Sequence, residues 1–336
     1  MGEAVGNLAK AGTKMAALRR SVSSASVNST TFVVATDGSR HAMRAVRLAA
    51  YLCNEATHDK IRVITVVANG INDPASLLRN SEVDLRTVCN IRPKSISSHV
   101  LTIPEGSSLQ ATIWKAADDV PNAVLVMGSA GKNLEDASTS KSFRAHGQAP
   151  IGSVAMECLT KCHRPVVLAK ELGTPCIGSE DGMLSRREGK APGVILVAVD
   201  GSPTSRRCFD LAYHFARPGD TVRVVHVLDT DQHLTDQATN FEQFGSSAVG
   251  KHYTDRCLKS ATAKEGVAFR YDALPKRGSI KDTLLAAADD EALVADLIIL
   301  GSIELTQPHK DVYLGSVSAA VAKRTPAHTL IAKHFA

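Results

Sequence analysis

Three short glycine-bearing turns carry the chemistry in this sequence. Asp37-Gly38-Ser39 sets a carboxylate, a residue without Cβ and a hydroxyl in succession. Gly128-Ser129-Ala130-Gly131 follows the apolar run Val124–Met127, and Gly152-Ser153 opens a segment with helical spacing. Glycine lets backbone N–H groups approach phosphate oxygens, and a helix start supplies unshared donors with a favourable dipole. A carboxylate beside such a cradle accepts from an amino group or a sugar hydroxyl, or helps to hold Mg²⁺. Better-defined phosphate motifs fail. A Walker-type loop ending at Gly131-Lys132 needs Ser or Thr where Asn133 stands, and Gly where Val126 stands. No strand-to-helix turn shows a dinucleotide-type glycine triplet. A single glycine is more simply a tight turn or a helix C-cap. The order and doubling of these turns argue for more.

The doubling is visible as an internal repeat. Phe32–Ser39 (FVVATDGS) returns as Ile195–Ser202 (ILVAVDGS), Ile151–Val154 (IGSV) as Leu314–Val317 (LGSV), and Pro165–Lys170 (PVVLAK) as His328–Lys333 (HTLIAK), all at one offset of 163 positions. Val124–Ser129 (VLVMGS) matches Leu297–Ser302 (LIILGS) ten positions out of register, which places extra residues in the first copy between Gly128 and Gly152. Each copy alternates strands and helices. In the first, the pattern predicts strands over Phe32–Thr36, Arg62–Ala68, His99–Ile103, Val124–Met127 and Val166–Ala169. Helices are expected behind the N-cap Ser39, over Ser108–Asp119 with Leu109, Ile113 and Ala116 inward, and after Gly152-Ser153. Such βαβ units build doubly wound, flavodoxin-like or Rossmann-like parallel sheets, whose ligands sit at the carboxyl ends of the strands. The expected organisation is a basic, Ser-rich tail over 1–28, domains over 29–171 and 193–336, and a linker over 172–192. The last strands, Val166–Ala169 and Thr329–Ala332, are expected at sheet edges, where they can pair and make the chain a built-in pseudo-dimer.

An early strand ending in Asp-Gly-Ser, a later one ending in Gly-x-x-Gly, and Gly-Ser-Val opening the last helix together resemble the universal stress protein family over nearly all of both copies. The resemblance implies that Asp37 and Val67 contact the adenosine of ATP while Gly128, Gly131, Gly152 and Ser153 wrap ribose and phosphates, with Mg²⁺ reached through Asp37. It implies a degenerate second site at Asp200, Val227, Gly301, Gly315 and Ser316. It also implies a stress-response or signalling role, and dimers. Two departures bear on this. The first copy has 20 residues between Gly131 and Gly152, not nine, a stretch rich in Lys, Arg and hydroxyls that reads as a lid, an insertion or a phosphorylation target; its closure costs little. In the second copy Glu304 stands where the second glycine belongs and repels phosphate by about 1–4 kcal/mol.

The bulk properties narrow the rest. With 44% hydrophobic residues but only 4% aromatic, the cores must be aliphatic, which suits sheets covered on both faces. A formal charge of +5 on 336 residues gives no case for nucleic acid, and no run approaches a membrane span. Seven cysteines in no framework read as reduced thiols in the cytoplasm. The basic first residues leave a mitochondrial address as the alternative. Cys158, Cys162 and His163 suggest a metal site only weakly, and buried small residues are the simpler reading. No general base stands beside a nucleophile, so at most slow ATP hydrolysis is expected. The competing reading is an interaction module that keeps the fold for pairing alone.

Overall fold

The computed structural model describes residues 29–67, 73–131, 151–170, 192–228, 246–302 and 314–333. The N-terminal tail, the linker up to residue 191, the stretch 132–150 and Glu304 lie outside the described residues. The first half comprises β1 (Thr31–Ala35), α1 (Arg40–Leu52), β2 (Lys60–Val67), α2 (Pro74–Thr87), β3 (Ile96–Thr102), α3 (Leu109–Asp118), β4 (Ala123–Gly128), α4 (Ser153–Lys161) and β5 (Val166–Ala169). The second repeats the order with β6 (Val194–Ala198), α5 (Pro203–Phe215), β7 (Thr221–Leu228), α6 (Ser246–Ala263), β8 (Ala268–Pro275), α7 (Ile280–Ala288), β9 (Leu297–Gly301), α8 (Ser316–Arg324) and β10 (His328–Ala332).

All ten strands form one sheet in the order β3-β2-β1-β4-β5-β10-β9-β6-β7-β8. Every pairing within a half is parallel. The central joint alone is antiparallel, with Thr329 opposite Leu168, Leu330 opposite Val167 and Ile331 opposite Val166. The two terminal strands thus meet as their positions at the repeat ends predict, and the halves are related by an approximate two-fold axis through the joint. Their Val and Leu side chains are fully buried because helices cover both faces.

Most expected elements lie within two or three residues of their predicted ends. The third strand starts at Ile96 rather than His99, because Ile96 to Thr102 all pair with β2 while its outer edge stays open. On α3, Thr112, Ile113 and Ala117 are buried and Leu109 and Ala116 only half so, which turns the inward stripe slightly from the expected one. The helix α2 adds an element to the pattern the sequence predicts. It starts at Asp73-Pro74, where the Asp73 carboxylate accepts from Ser76 N–H at 2.9 Å and Pro occupies the first turn, a normal start pair.

Two apolar layers, one on each face of the sheet, run through both halves. The first joins Phe32, Leu48 and Leu52 to Phe209, Phe215 and Val224; the second joins Leu125 and Leu168 to Ile298 and Ile331. At about 1.5–3 kcal/mol per buried large aliphatic or Phe side chain, these layers dominate the folding energy. Phe32 and Phe215 touch across the seam, ring centroids 5.8 Å apart.

Polar contacts cross the seam in reciprocal pairs. Tyr51 Oη donates to Asp220 Oδ2 at 3.2 Å, and at the matching place His214 Nε2 lies 3.1 Å from Asp59 Oδ2. Each aspartate also accepts a backbone N–H from its own half, Asp59 from Thr30 and Asp220 from Gly193, both at 2.8 Å. The fully buried Lys170, just past β5, donates to the carbonyls of Ala322 and, at 2.7 Å, Thr325, at the end of α8. Lys333, just past β10, is equally buried and donates to the carbonyl of Leu159 near the end of α4.

Candidate functional site

The candidate site in the first half lies where β1 and β4, adjacent and parallel, deliver their chain ends to α1 and α4. Gly38 takes φ +79°, a left-handed conformation suited to glycine, and a methyl there would stand 2.5 Å from Leu77 Cδ2. That turn brings Asp37 back over the edge, where its Oδ1 accepts from Ser39 N–H at 3.0 Å. Ser39 Oγ in turn accepts from Ala42 N–H at 3.1 Å, so a side chain caps the start of α1.

The β4 loop is fixed by main-chain bonds. Ser129 N–H donates to Ala169 C=O at 2.9 Å, and Ser129 C=O accepts from Gly152 N–H at 2.8 Å. The start of α4 is therefore tied directly to the end of β4. Ser129 is fully buried, its Oγ 3.4 Å from His41 Nδ1. A methyl on Gly131 would stand 3.1 Å from Asp37 Oδ2, so the carboxylate faces the backbone at Gly131. Gly152 takes the N-cap position of α4 with no side chain to cap it, and its C=O accepts the first helical bond from Met156. Among the described residues, the first-turn N–H groups of α4, beginning at Ser153, thus carry no side-chain cap, unlike those of α1, α2 and α3. Val67, the last residue of β2, is 42% exposed at the same carboxyl edge. Asp37, Gly131, Gly152 and Ser153 are brought together, and Val67 stands on the rim.

Gly128 has a different neighbour. A methyl there would meet the backbone of His41, 2.7 Å from its carbonyl carbon and 2.9 Å from its oxygen. Packing β4 against the first turn of α1 already requires glycine at this position. The second half keeps the outline. Ser202 N–H donates to Asp200 Oδ1 at 2.9 Å, Gly201 takes φ +86°, and Gly315 N–H donates to Ser302 C=O at 2.5 Å before Ser316 opens an uncapped α8. Among the described residues a methyl on Gly301 would meet the side chain of Thr204, 2.9 Å from Cγ2, and Ser318 Oγ donates to Gly301 C=O. Val227 sits half-buried in β7, packed against the second apolar layer.

Among the described residues no group of three or more His, Cys, Asp or Glu is arranged to hold a metal ion. Cys158 and Cys162 are fully buried; desolvation pushes the Cys158 thiol up to about 12 and the Cys162 thiol higher, away from the thiolate that binds metal. His163 Nδ1 lies 2.7 Å from Asp118 Oδ2, so this carboxylate engages the imidazole. No helix among the described residues is long and apolar enough to cross a membrane.

A continuous parallel sheet in each half, with a main-chain cradle and an acid at its carboxyl edge, defines a tandem doubly wound α/β protein with one cradle per half. A family model described as the universal stress protein family matches residues 29–170 and again 193–333. The chain belongs to that family, in tandem. Among solved structures it is similar to a universal stress protein from Archaeoglobus fulgidus, with 16% identity and a TM-score of 0.51, covering 90% of this chain and 96% of that one. It is similar also to a protein of unknown function from Pseudomonas aeruginosa, with 14% identity and a TM-score of 0.51, covering 94% of each. No curated protein sequence matches it.

Proposed function

We propose that the first half binds ATP with Mg²⁺ and that the protein is a nucleotide-responsive stress or signalling component. The observation that carries this reading is the meeting of Asp37 with Gly131 beside an uncapped helix start that Gly152 ties to β4. Asp37 supplies an acceptor for the ribose or adenine, Val67 an apolar rim for the base, and Gly131, Gly152 and Ser153 the space and donors for phosphates. Gly128 keeps the cradle open by letting β4 lie close on α1. The donor set suits an anion far better than a bare cation. Mg²⁺ therefore enters with the phosphates, with Asp37 the carboxylate placed to meet it. The second half keeps Asp200, Gly301, Gly315 and Ser316 but carries Glu304, and its affinity is expected to be lower.

The test is equilibrium binding of ATP with Mg²⁺ to the full chain and to Asp37→Ala. The wild type should bind and the variant should lose about tenfold or more, the loss of one charge-assisted hydrogen bond. No binding at millimolar ATP by the wild type would leave the interaction-module reading in its place.

A further inference from the structure

The helix whose start faces the first cradle is held at its far end by the other half of the chain. α4 has nine residues, about 13 Å of helix, with Gly152 at one end and the carbonyl of Leu159 near the other. That carbonyl accepts from the ammonium of Lys333, which follows β10 and is fully buried. The arrangement is reciprocal, because Lys170 of the first half donates to the carbonyls of Ala322 and Thr325 at the end of α8, whose start is the second cradle. The chain does not simply lodge two lysines in a seam. Each cation sits on the negative end of a helix in the opposite half that starts at a glycine N-cap without a side chain.

We propose that Lys333 is a positioning residue for the anion site of the first half, and Lys170 for that of the second, so that each cradle is set by a cation from the other copy. The inference rests on reading the first cradle as an anion site. A buried cation on the last carbonyls completes the helix-end hydrogen bonding, fixes the helix along its axis, and adds an attractive charge behind the donors. Among the described residues, the titratable groups facing Lys333 include Cys158 and Cys162 on and just past α4 and Asp118 at the end of α3. Both thiols are held protonated by burial through the alkaline range, so Asp118 is the charge that works with the lysine. Desolvation brings Lys333 down to about 8 and Lys170 to about 7, so the first-half helix keeps its cation to higher pH than the second.

The test uses the full chain and two probes, ATP with Mg²⁺ and inorganic tripolyphosphate. It is read by the fluorescence of Trp114, the chain's one tryptophan, whose ring lies 6.4 Å from that of His163 just past α4 and which therefore reports the first half. Lys333→Met should weaken both probes about three- to tenfold at pH 7.5, Lys333→Arg should hold affinity within about twofold, and Lys170→Met, an equivalent lesion at the other helix, should leave the first-half affinity within about twofold. Equal losses in Lys333→Met and Lys170→Met, or no loss in Lys333→Met, would overturn the inference while leaving ATP binding intact. Should Lys333→Met fail to fold, the wild type itself decides: affinity for tripolyphosphate should fall between pH 7.5 and 9.5, and a flat profile refutes the role. A wild type that binds tripolyphosphate but not ATP ends the nucleotide reading alone and leaves the variant series valid. One that binds neither probe ends both.

Discussion

Alanine at Gly128 and alanine at Gly131 should fail in different ways, and the difference separates packing from binding. At Gly128 the new methyl would lie 2.7 Å from the carbonyl carbon of His41 and 2.8 Å from its Cβ. Neither partner can give way cheaply. His41 belongs to the first turn of α1, held by the Ser39 cap and by buried Ala45 and Val46, and β4 is clamped between β1 and β5. Overpacking of this kind costs about 1–3 kcal/mol. The stiffer unfolded chain returns about 0.4–1 kcal/mol. The net loss is about 1–2 kcal/mol, which in a chain of this size lowers the melting temperature by about 1–3 °C. Among the described residues the methyl at Gly131 would meet Asp37 Oδ2, at 3.1 Å, and a carboxylate can turn aside. Stability should change by less than about 0.5 kcal/mol, while ATP affinity falls about tenfold because the added carbon occupies the place of a ligand atom. Thermal melts by circular dichroism and equilibrium dialysis with ATP measure the two effects. A Gly128→Ala protein that melts with the wild type refutes the packing argument, and a Gly131→Ala protein that binds ATP normally refutes the cradle.

Further outcomes follow from the same geometry. Gly301→Ala should cost less stability than Gly128→Ala, by about 1 kcal/mol, because among the described residues its methyl meets the Thr204 side chain rather than backbone; paired thermal melts decide. Tyr51→Phe removes one buried hydrogen bond across the seam and should cost about 1 kcal/mol in urea unfolding, since Asp220 keeps the N–H groups of Gly193 and Arg217. Lys170, lowered by burial to about 7 against an ordinary value near 10.4, makes the fold bind fewer protons than the unfolded chain between those pH values. The penalty of its charged form is full below pH 7 and is relieved as pH rises towards 10. The stability of the wild type relative to Lys170→Met should therefore climb between pH 7 and 10, and melts across that range showing no climb would contradict the burial of a titrating amine.

The duplication, the parallel α/β build of each half and the central joint were legible because they rest on main-chain periodicity and on repeated strings such as PVVLAK and HTLIAK. The cradle was legible as a set of residues, since Asp-Gly-Ser and Gly-Ser-Val mark turns at strand ends. What the sequence hid is which glycine serves what. Gly128 and Gly131 look alike in the string, yet one abuts His41 backbone and the other faces a carboxylate, a difference set by the crossing of α1 over β4. The seam was hidden for another reason. Lys170 and Lys333 end their strands like ordinary surface cations, and only the opposing copy buries them. Their shared place in the repeat was the available signal. Tyr51 and His214 occupy matching positions with different chemistry, so comparing the copies residue by residue for identity passes over them. The helix α2 went unread because its apolar stripe is short, only Leu78 and Leu85 being buried hydrophobics, although Asp73-Pro74 announces its start.

Because the sheet is continuous through the β5–β10 joint, a copy that bound no ligand would still have work to do. Stripping away the second half would leave Val166–Ala169 as a bare, wholly aliphatic edge and Phe32 facing water where Phe215 had been. Substitutions that blunt the second cradle are thus tolerable in a way that substitutions in its strands are not. A damaged pocket and an indispensable buttress can coexist in the same stretch of chain.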